Sequence, residues 1–254
     1  MNRAGIILAA GRGGRMKSVL PKVMHKVAGI PLLGHVIGAM RGAGVDPIIV
    51  VTAPEGDSVR AFAEEGGAQI VIADRQLGTG YSAACAGAAL AGFPGLVVVS
   101  YGDQPLLTPE NFAASFAARE KGGMSLVAFT PRDPAMYGRV VLDGEGFVER
   151  IVEFRDAGAA ERAIGLCNAG IMAAEAGPFF RWAAALGNAN AQGEYYLTDI
   201  PALARRDGVR CAVALAGETD VMGVNDPEEL AAAEAQMQAR LGQRAPGVWR
   251  ARGT

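Results

Sequence analysis

The chain has 254 residues, half of them hydrophobic and a fifth charged, with Lys+Arg 24 against Asp+Glu 26 and a formal charge of −2. That is apolar sequence enough for one large domain, and the charge balance supplies no cationic excess for a nucleic-acid backbone or a membrane surface. No apolar run approaches the ~20 residues needed to span a bilayer, and Cys85, Cys167 and Cys211 are odd in number and lack metal spacing. With no basic and apolar leader at the N-terminus, a reduced, cytoplasmic setting is expected.

In chain order, apolar β-branched runs at 5–10, 47–51, 69–73, 96–100 and 125–129 alternate with segments at 31–41, 56–65, 79–90 and 109–120 that predict helices. Strands that are apolar throughout are those covered on both faces, as in a parallel sheet flanked by helices. After about residue 131 the rhythm changes. Runs at 139–142 and 147–152 flank Asp143-Gly144-Glu145-Gly146 and predict a hairpin. Strands follow at 167–173 and 210–216, and helices at 178–186 and 197–205. A terminal helix is expected over 227–241, capped by Asp226 with Pro227, Glu228 and Glu229 in its first turn, and a loose basic tail after Gly242. The expected fold is α/β: a doubly wound, mostly parallel, Rossmann-like sheet with a small antiparallel elaboration. The domain is expected over 1–226, with the helix and tail at 227–254.

Chemistry concentrates first at Leu8-Ala9-Ala10-Gly11-Arg12-Gly13-Gly14-Arg15-Met16-Lys17-Ser18-Val19-Leu20-Pro21-Lys22, where a strand runs into three glycines and four cations. Glycines let backbone N–H groups approach phosphate oxygens, and Arg12, Arg15, Lys17 and Lys22 are candidates to neutralise a polyphosphate. The plainer alternative is a tight turn with solvated cations. A dinucleotide fingerprint fails at Met16, where its third glycine belongs, and a P-loop fails at the same residue. A second candidate is Asp103, in Tyr101-Gly102-Asp103 at the end of the fourth strand. In open α/β sheets, ligands bind beyond the carboxyl ends of the strands, which predicts Asp103 near the glycine loop. A carboxylate beside phosphates calls for an intervening cation, and Mg²⁺, an oxygen-seeking ion, meets that need; a turn-forming role before Pro105 is the alternative. Asn225, just ahead of the terminal cap, is a candidate second oxygen ligand. His25 and His35 lie in no triad-like setting and are expected to be structural or solvated.

The loop fits L-x-x-G-x-G-[T]-x-M-x-x-x-x-P-K with Gly14 in place of the Thr. Five more blocks follow in order: Gln76-Leu77-Gly78-Thr79-Gly80, Tyr101-Gly102-Asp103-x-Pro105-Leu106, Tyr137-Gly138-Arg139, Asn190-Ala191-Gln192-Gly193-Glu194-Tyr195-Tyr196-Leu197-Thr198-Asp199, and Gly223-Val224-Asn225. Together they resemble the uridyltransferase domain of the N-acetylglucosamine-1-phosphate uridyltransferase family, over about residues 5–226. The resemblance implies a nucleotidyltransferase of the sugar-phosphate type, Mg²⁺-dependent, with a nucleoside triphosphate and a sugar 1-phosphate as its partners. It implies that Leu8, Ala9, Ala10, Gly11, Gly13, Gly14 and Lys22 hold the nucleotide, with Ala73, Gln76, Gly78 and Thr79 toward the base and Tyr101 and Gly102 lining the site. Arg15, Lys22 and Asp103 are the implied catalytic set, Asp103 and Asn225 the implied metal ligands, and Gly138, Glu153 and Asn168 the implied sugar contacts. The chain departs from the family at Ala73, where a base-reading Gln is usual, and at Gly14 and Ala169, which each replace a Thr. No hexapeptide repeats of a left-handed β-helix follow the terminal helix.

Overall fold

The computed structural model describes residues 1–11 and 13–244; Arg12 and the basic tail after residue 244 lie outside the described residues. The chain opens with strand β1 (Asn2–Leu8), then a 3-10 turn over Gly14–Met16, another over Lys22–Met24, and a short hairpin of β2 (Lys26–Val27) and β3 (Ile30–Pro31). Then come α1 (Leu32–Gly42), β4 (Ile48–Thr52), α2 (Asp57–Glu65), β5 (Gln69–Ile72), α3 (Thr79–Cys85), β6 (Gly95–Tyr101), α4 (Pro109–Arg119) and β7 (Gly123–Phe129). The second half adds β8 (Arg139–Leu142), β9 (Val148–Val152), α5 (Ala159–Arg162), β10 (Cys167–Glu175), α6 (Ala176–Ala184), α7 (Ile200–Arg206), β11 (Arg210–Leu215) and α8 (Pro227–Arg244).

Nine strands form one sheet in the order β5-β4-β1-β6-β10-β7-β11-β9-β8. Its first four strands are parallel throughout, and the continuous apolar runs have the predicted cause. All five residues of β4 and the last five of β1 are buried, because helices cover both faces. β5 is half-exposed, as the edge strand it is. Two extensive clusters lie on opposite faces of the sheet: Ile7, Val50, Val98 and Phe112 on one, Ile6, Val51, Val97 and Phe179 on the other. Such alternation of neighbours along one strand is the period-two geometry of the pleat.

The second half differs from expectation in one respect. The 139–152 hairpin forms, as β8 paired antiparallel with β9, but it extends the main sheet at its far edge. The antiparallel strand that matters is β10, which lies inside the sheet between β6 and β7 and runs against both. Its N-terminal end therefore sits beside the C-terminal end of β6. Helix α3 is shorter than the 79–90 prediction. After Cys85 the chain continues in turns, with Ala86 and Gly87 donating to the carbonyls three residues back, a tightening typical of a terminating helix. Expected helix 197–205 begins as a 3-10 turn over Leu197–Asp199 and becomes α-helical from Ile200, with Pro201 in the first turn where its missing N–H costs nothing.

Helix α8 starts as predicted: Asp226 Oδ1 accepts from the N–H groups of Glu228 and Glu229 at 3.0 and 2.9 Å. It runs through Arg244, past the expected end. Ala233 and Val224 join Met16, Val27, Leu32 and Leu106 in a third apolar cluster, and Glu234 accepts the Ala28 N–H at 2.6 Å. The helix thus holds the β2–β3 hairpin and, through Met16, the base of the glycine loop. Among the described residues no helix is long and apolar enough to cross a membrane.

Candidate active site

The sheet topology brings separate pieces of sequence to one place. β1 and β6 are adjacent and parallel, with Leu8 opposite Tyr101, so Ala9-Ala10-Gly11 and Gly102-Asp103 leave the sheet side by side. The Gly102 N–H donates to Leu8 O at 3.0 Å across that exit. Reversed β10 delivers Asn168 and Ala169 to the same end. The segment before α8 arrives last, tied down where the Val224 N–H donates to Asp103 O at 2.9 Å.

A cavity of about 450 Å³ opens between these pieces, lined by Leu8, Ala9, Ala10, Gly11, Lys22, Gln76, Gly78, Thr79, Tyr101, Asp103, Asn168 and Asn225 from the expected set. A second hollow of about 410 Å³ shares Ala9, Ala10, Gly11 and Gln76 with it and continues past Ser18, Pro21, Thr52 and Glu55. The start of the glycine loop, with Gln76, is therefore the common wall of a two-chambered cleft. Gly13 lets the loop turn back on itself: its φ is +61, and a Cβ there would stand 2.6 Å from the Lys22 Cβ.

At the centre, the Lys22 ammonium forms a salt bridge with Asp103 Oδ2 and donates to Asn225 Oδ1 at 2.9 Å. These are two oxygens from widely separated parts of the chain, turned toward one positive charge. Both charged side chains are less than a fifth exposed. A carboxylate and an amide oxygen converging on one point are the hard donors that Mg²⁺ takes when phosphates complete its shell. The donor set therefore fits the ion that the motifs imply.

Several expected residues lie off the cavity wall. Arg15 is exposed on the 3-10 turn over Gly14–Met16, and Gly13 and Gly14 belong to the same outer part of the loop. Ala73 is 1% exposed and packs in the core with Leu8 and Val51. Gly102 is buried beneath Val23 and Leu8. Gly138 and Glu153 form a layer behind the wall: the Asn168 N–H donates to Gly138 O at 2.9 Å, and the Glu153 carboxylate faces Gly138 and accepts from the Thr198 hydroxyl at 2.9 Å. Burial pushes the Glu153 carboxyl above its usual range, with Asp156 and Asp199 adding to the shift and the Thr198 bond opposing it. Burial likewise raises the Tyr101 phenol, reinforced by Glu153 and Asp103, so Tyr101 presents a neutral hydroxyl. His35 is structural, its Nε2 paired with Val27 O at 2.8 Å.

The sequence passed over Gln104, Ser82, Glu194, Val221 and Gly223, all of which line the cavity. Glu194 and Gly223 stand inside the recognised blocks, so their presence was legible though their role was not. Gln104 carried no signal, being the variable position between Asp103 and Pro105.

A family profile described as the MobA-like NTP transferase domain matches residues 5–219. The chain belongs to that family. The chain is 46% identical over 245 residues to the bifunctional protein GlmU of Rhodospirillum rubrum, covering 95% of this chain and 54% of that one. It is 45% identical over 244 residues to the bifunctional protein GlmU of Ruegeria pomeroyi, covering 94% and 54%. The chain spans about half the length of the curated relatives it matches. A solved structure from Bacillus anthracis, named for glucose-1-phosphate thymidylyltransferase and crystallised with sucrose, superposes with a TM-score of 0.74 over 92% of this chain and 94% of that one. At 20% identity that likeness establishes the shared fold of the NTP transferase domain.

Proposed function

We propose that this NTP transferase moves a nucleotidyl group, uridylyl from UTP, onto N-acetylglucosamine 1-phosphate, releasing pyrophosphate and forming UDP-N-acetylglucosamine. The observation that carries this reading is the convergence of Lys22, Asp103 and Asn225 between the glycine loop and Asn168. One reactant, the triphosphate, lies along Leu8–Gly11, where the small side chains of Ala9, Ala10 and Gly11 on the cavity wall admit phosphate and ribose closely. The other enters from the side of Asn168, with Glu153 and Gly138 supporting that wall.

The reaction is attack by a sugar-phosphate oxygen on the α-phosphorus, with cleavage of the α–β bridge and departure of pyrophosphate. A phosphate dianion is nucleophilic at neutral pH, so the site needs no general base, in keeping with the structural role of His35. What it needs is alignment and charge neutralisation at the phosphoryl oxygens. Asp103 and Asn225 would hold Mg²⁺, which when bound neutralises charge at the α-phosphate. Lys22, at the end of the loop beside Asp103, is positioned to follow charge onto the departing pyrophosphate, and exposed Arg15 is a further cation of the same loop. Tyr101, neutral, packs its ring against Gly170 of β10 and meets Thr79 without adding charge.

UTP and the amino sugar rest on the GlmU relatives and on the Asn190–Tyr196 block. With Ala73 packed in the core, Gln76 remains to meet the base, and this favours wider acceptance of bases as a second reading. The cytoplasm, as the compartment of nucleoside triphosphates and sugar phosphates, is the proposed site of action, in supply of cell-wall precursors. Pyrophosphate release measured over a panel of nucleotides and sugar 1-phosphates, with and without Mg²⁺, tests the whole. The expected outcome is turnover that requires Mg²⁺ and is fastest with UTP and N-acetylglucosamine 1-phosphate. Binding without pyrophosphate release from any pair would make the protein a nucleotide-sugar sensor and end the proposal.

A further inference from the structure

Gln104 follows Asp103 directly, lines the cavity and is 5% exposed. Its Nε2 donates to two main-chain carbonyls, Ala169 O at 2.8 Å and Val221 O at 2.9 Å. The two belong to different parts of the chain. Ala169 is the residue after Asn168 at the start of β10, and Val221 begins the segment that ends in Asn225. A single amide thus joins the turn of Asp103 to both neighbouring pieces of the wall. Its orientation is fixed, because a flipped amide would set Oε1 against two carbonyl oxygens. Oε1 itself is buried and has no hydrogen-bond partner. An apolar side chain would avoid that unsatisfied oxygen, so the cost is consistent with a task beyond packing.

We propose that Gln104 is a positioning residue: its amide sets the spacing between Asp103, Asn168 and Asn225, and so the alignment of the sugar phosphate and the divalent cation. This deepens the proposed function and rests on it for the identity of the reactants. The clamp touches the β10 side of the cleft and makes no bond to Leu8–Gly11, to Gln76 or to Thr79. Its loss is therefore selective. A residue that merely filled space would give, on removal, a loss of stability with no preference between reactants.

The test uses Gln104→Leu in the full chain, with Gln104→Met as a second variant whose flexible side chain fills the same volume without donors. Steady-state kinetics should show the KM for the sugar 1-phosphate and the Mg²⁺ concentration for half-activity each raised about tenfold, with the KM for the nucleotide changed less than about twofold. Two further readouts do not depend on turnover. Mn²⁺ binding followed by electron paramagnetic resonance should weaken about tenfold with the same loss of alignment, and amide exchange should quicken over 167–170 and 220–226 but not over 8–11. An equal rise in both KM values, or unchanged exchange in those two segments, overturns the proposal in whichever variant folds. If the wild-type protein turns over no pair of substrates, the exchange and Mn²⁺ measurements still decide whether Gln104 is the clamp, separately from the reaction assigned to the site.

Discussion

Where the cleft is bounded by the end of β1 and the start of the loop after it, the wall is Leu8, Ala9, Ala10 and Gly11, apolar or small residues, with Lys22 reaching in from the far end of that loop. Across the cavity, where β6 ends and reversed β10 begins, the wall carries the polar side chains of Asp103, Gln104, Asn168 and Asn225, with Lys22 bridging Asp103 and Asn225 and Gln104 bonded to the main chain on either side. The first wall recognises by closeness and the second by chemistry. A wall of backbone is broken by adding atoms, and a wall of side chains is broken by removing them. The same division follows the sheet: the parallel half offers strand ends and glycines, whereas antiparallel β10 is what carries a polar side chain to that end from the other direction.

Removal on the chemical wall should have the largest effect. Asp103→Ala takes away the carboxylate that pairs with Lys22 and half of the oxygen pair. Catalytic efficiency should fall by about 10³-fold, in the range of losing an electrostatic stabiliser at a phosphoryl group, while the fold is retained. Pyrophosphate release at saturating Mg²⁺, beside a thermal melt, checks both halves. Turnover within threefold of wild type would take Asp103 out of the metal role.

Addition on the close-approach wall comes next. Gly13 stands at φ +61 with the Lys22 Cβ 2.6 Å from where its own would lie, so Gly13→Ala must both strain the backbone and push Lys22 aside. We expect a loss of about 1–2 kcal/mol in stability and about tenfold in efficiency, carried by the nucleotide's KM. The comparison sharpens if the sugar phosphate's KM stays put in this variant, the mirror image of the Gln104 result. It breaks if both rise together.

Much of this arrangement was legible in the residues, and the limits have physical causes. Continuous apolar runs gave β1, β4 and β6 because burial on both faces leaves no alternation, and the place of Asp103 followed from the rule that ligands gather at strand ends. The reversal of β10 was not legible, since side-chain periodicity carries no strand direction. The early end of α3 was hidden because an alanine-rich run reads alike as helix or as successive turns. Lys22 and Asn225 were each singled out by motif, yet their shared contact with Asp103 is a tertiary fact that spacing cannot express. Gln104 lacked even a motif: its two partners are main-chain carbonyls, and any residue supplies one of those.

Behind the chemical wall lies a cost that a single substitution should recover. The Glu153 carboxyl is held above its usual range chiefly by burial, so its charged form is disfavoured in the folded protein. Between the ordinary carboxylate pKa of about 4.3 and the raised value, the folded state binds more protons than the unfolded chain. Stability therefore falls as pH rises through that window and stays lower above it. Glu153→Gln keeps an oxygen to accept from Thr198 and removes the buried charge. Its melting temperature should exceed wild type by about 2–4 °C at pH 7–8, with the gain vanishing below about pH 4, where both proteins are neutral at this position. Melts across that range decide it: a gain independent of pH would assign the effect to packing, and no gain at neutral pH would mean that water or a neighbouring cation already serves the carboxylate. If the same variant binds sugar phosphate less well, the polar wall is less stable than it could be, and the missing stability is tied to the group that meets the substrate side.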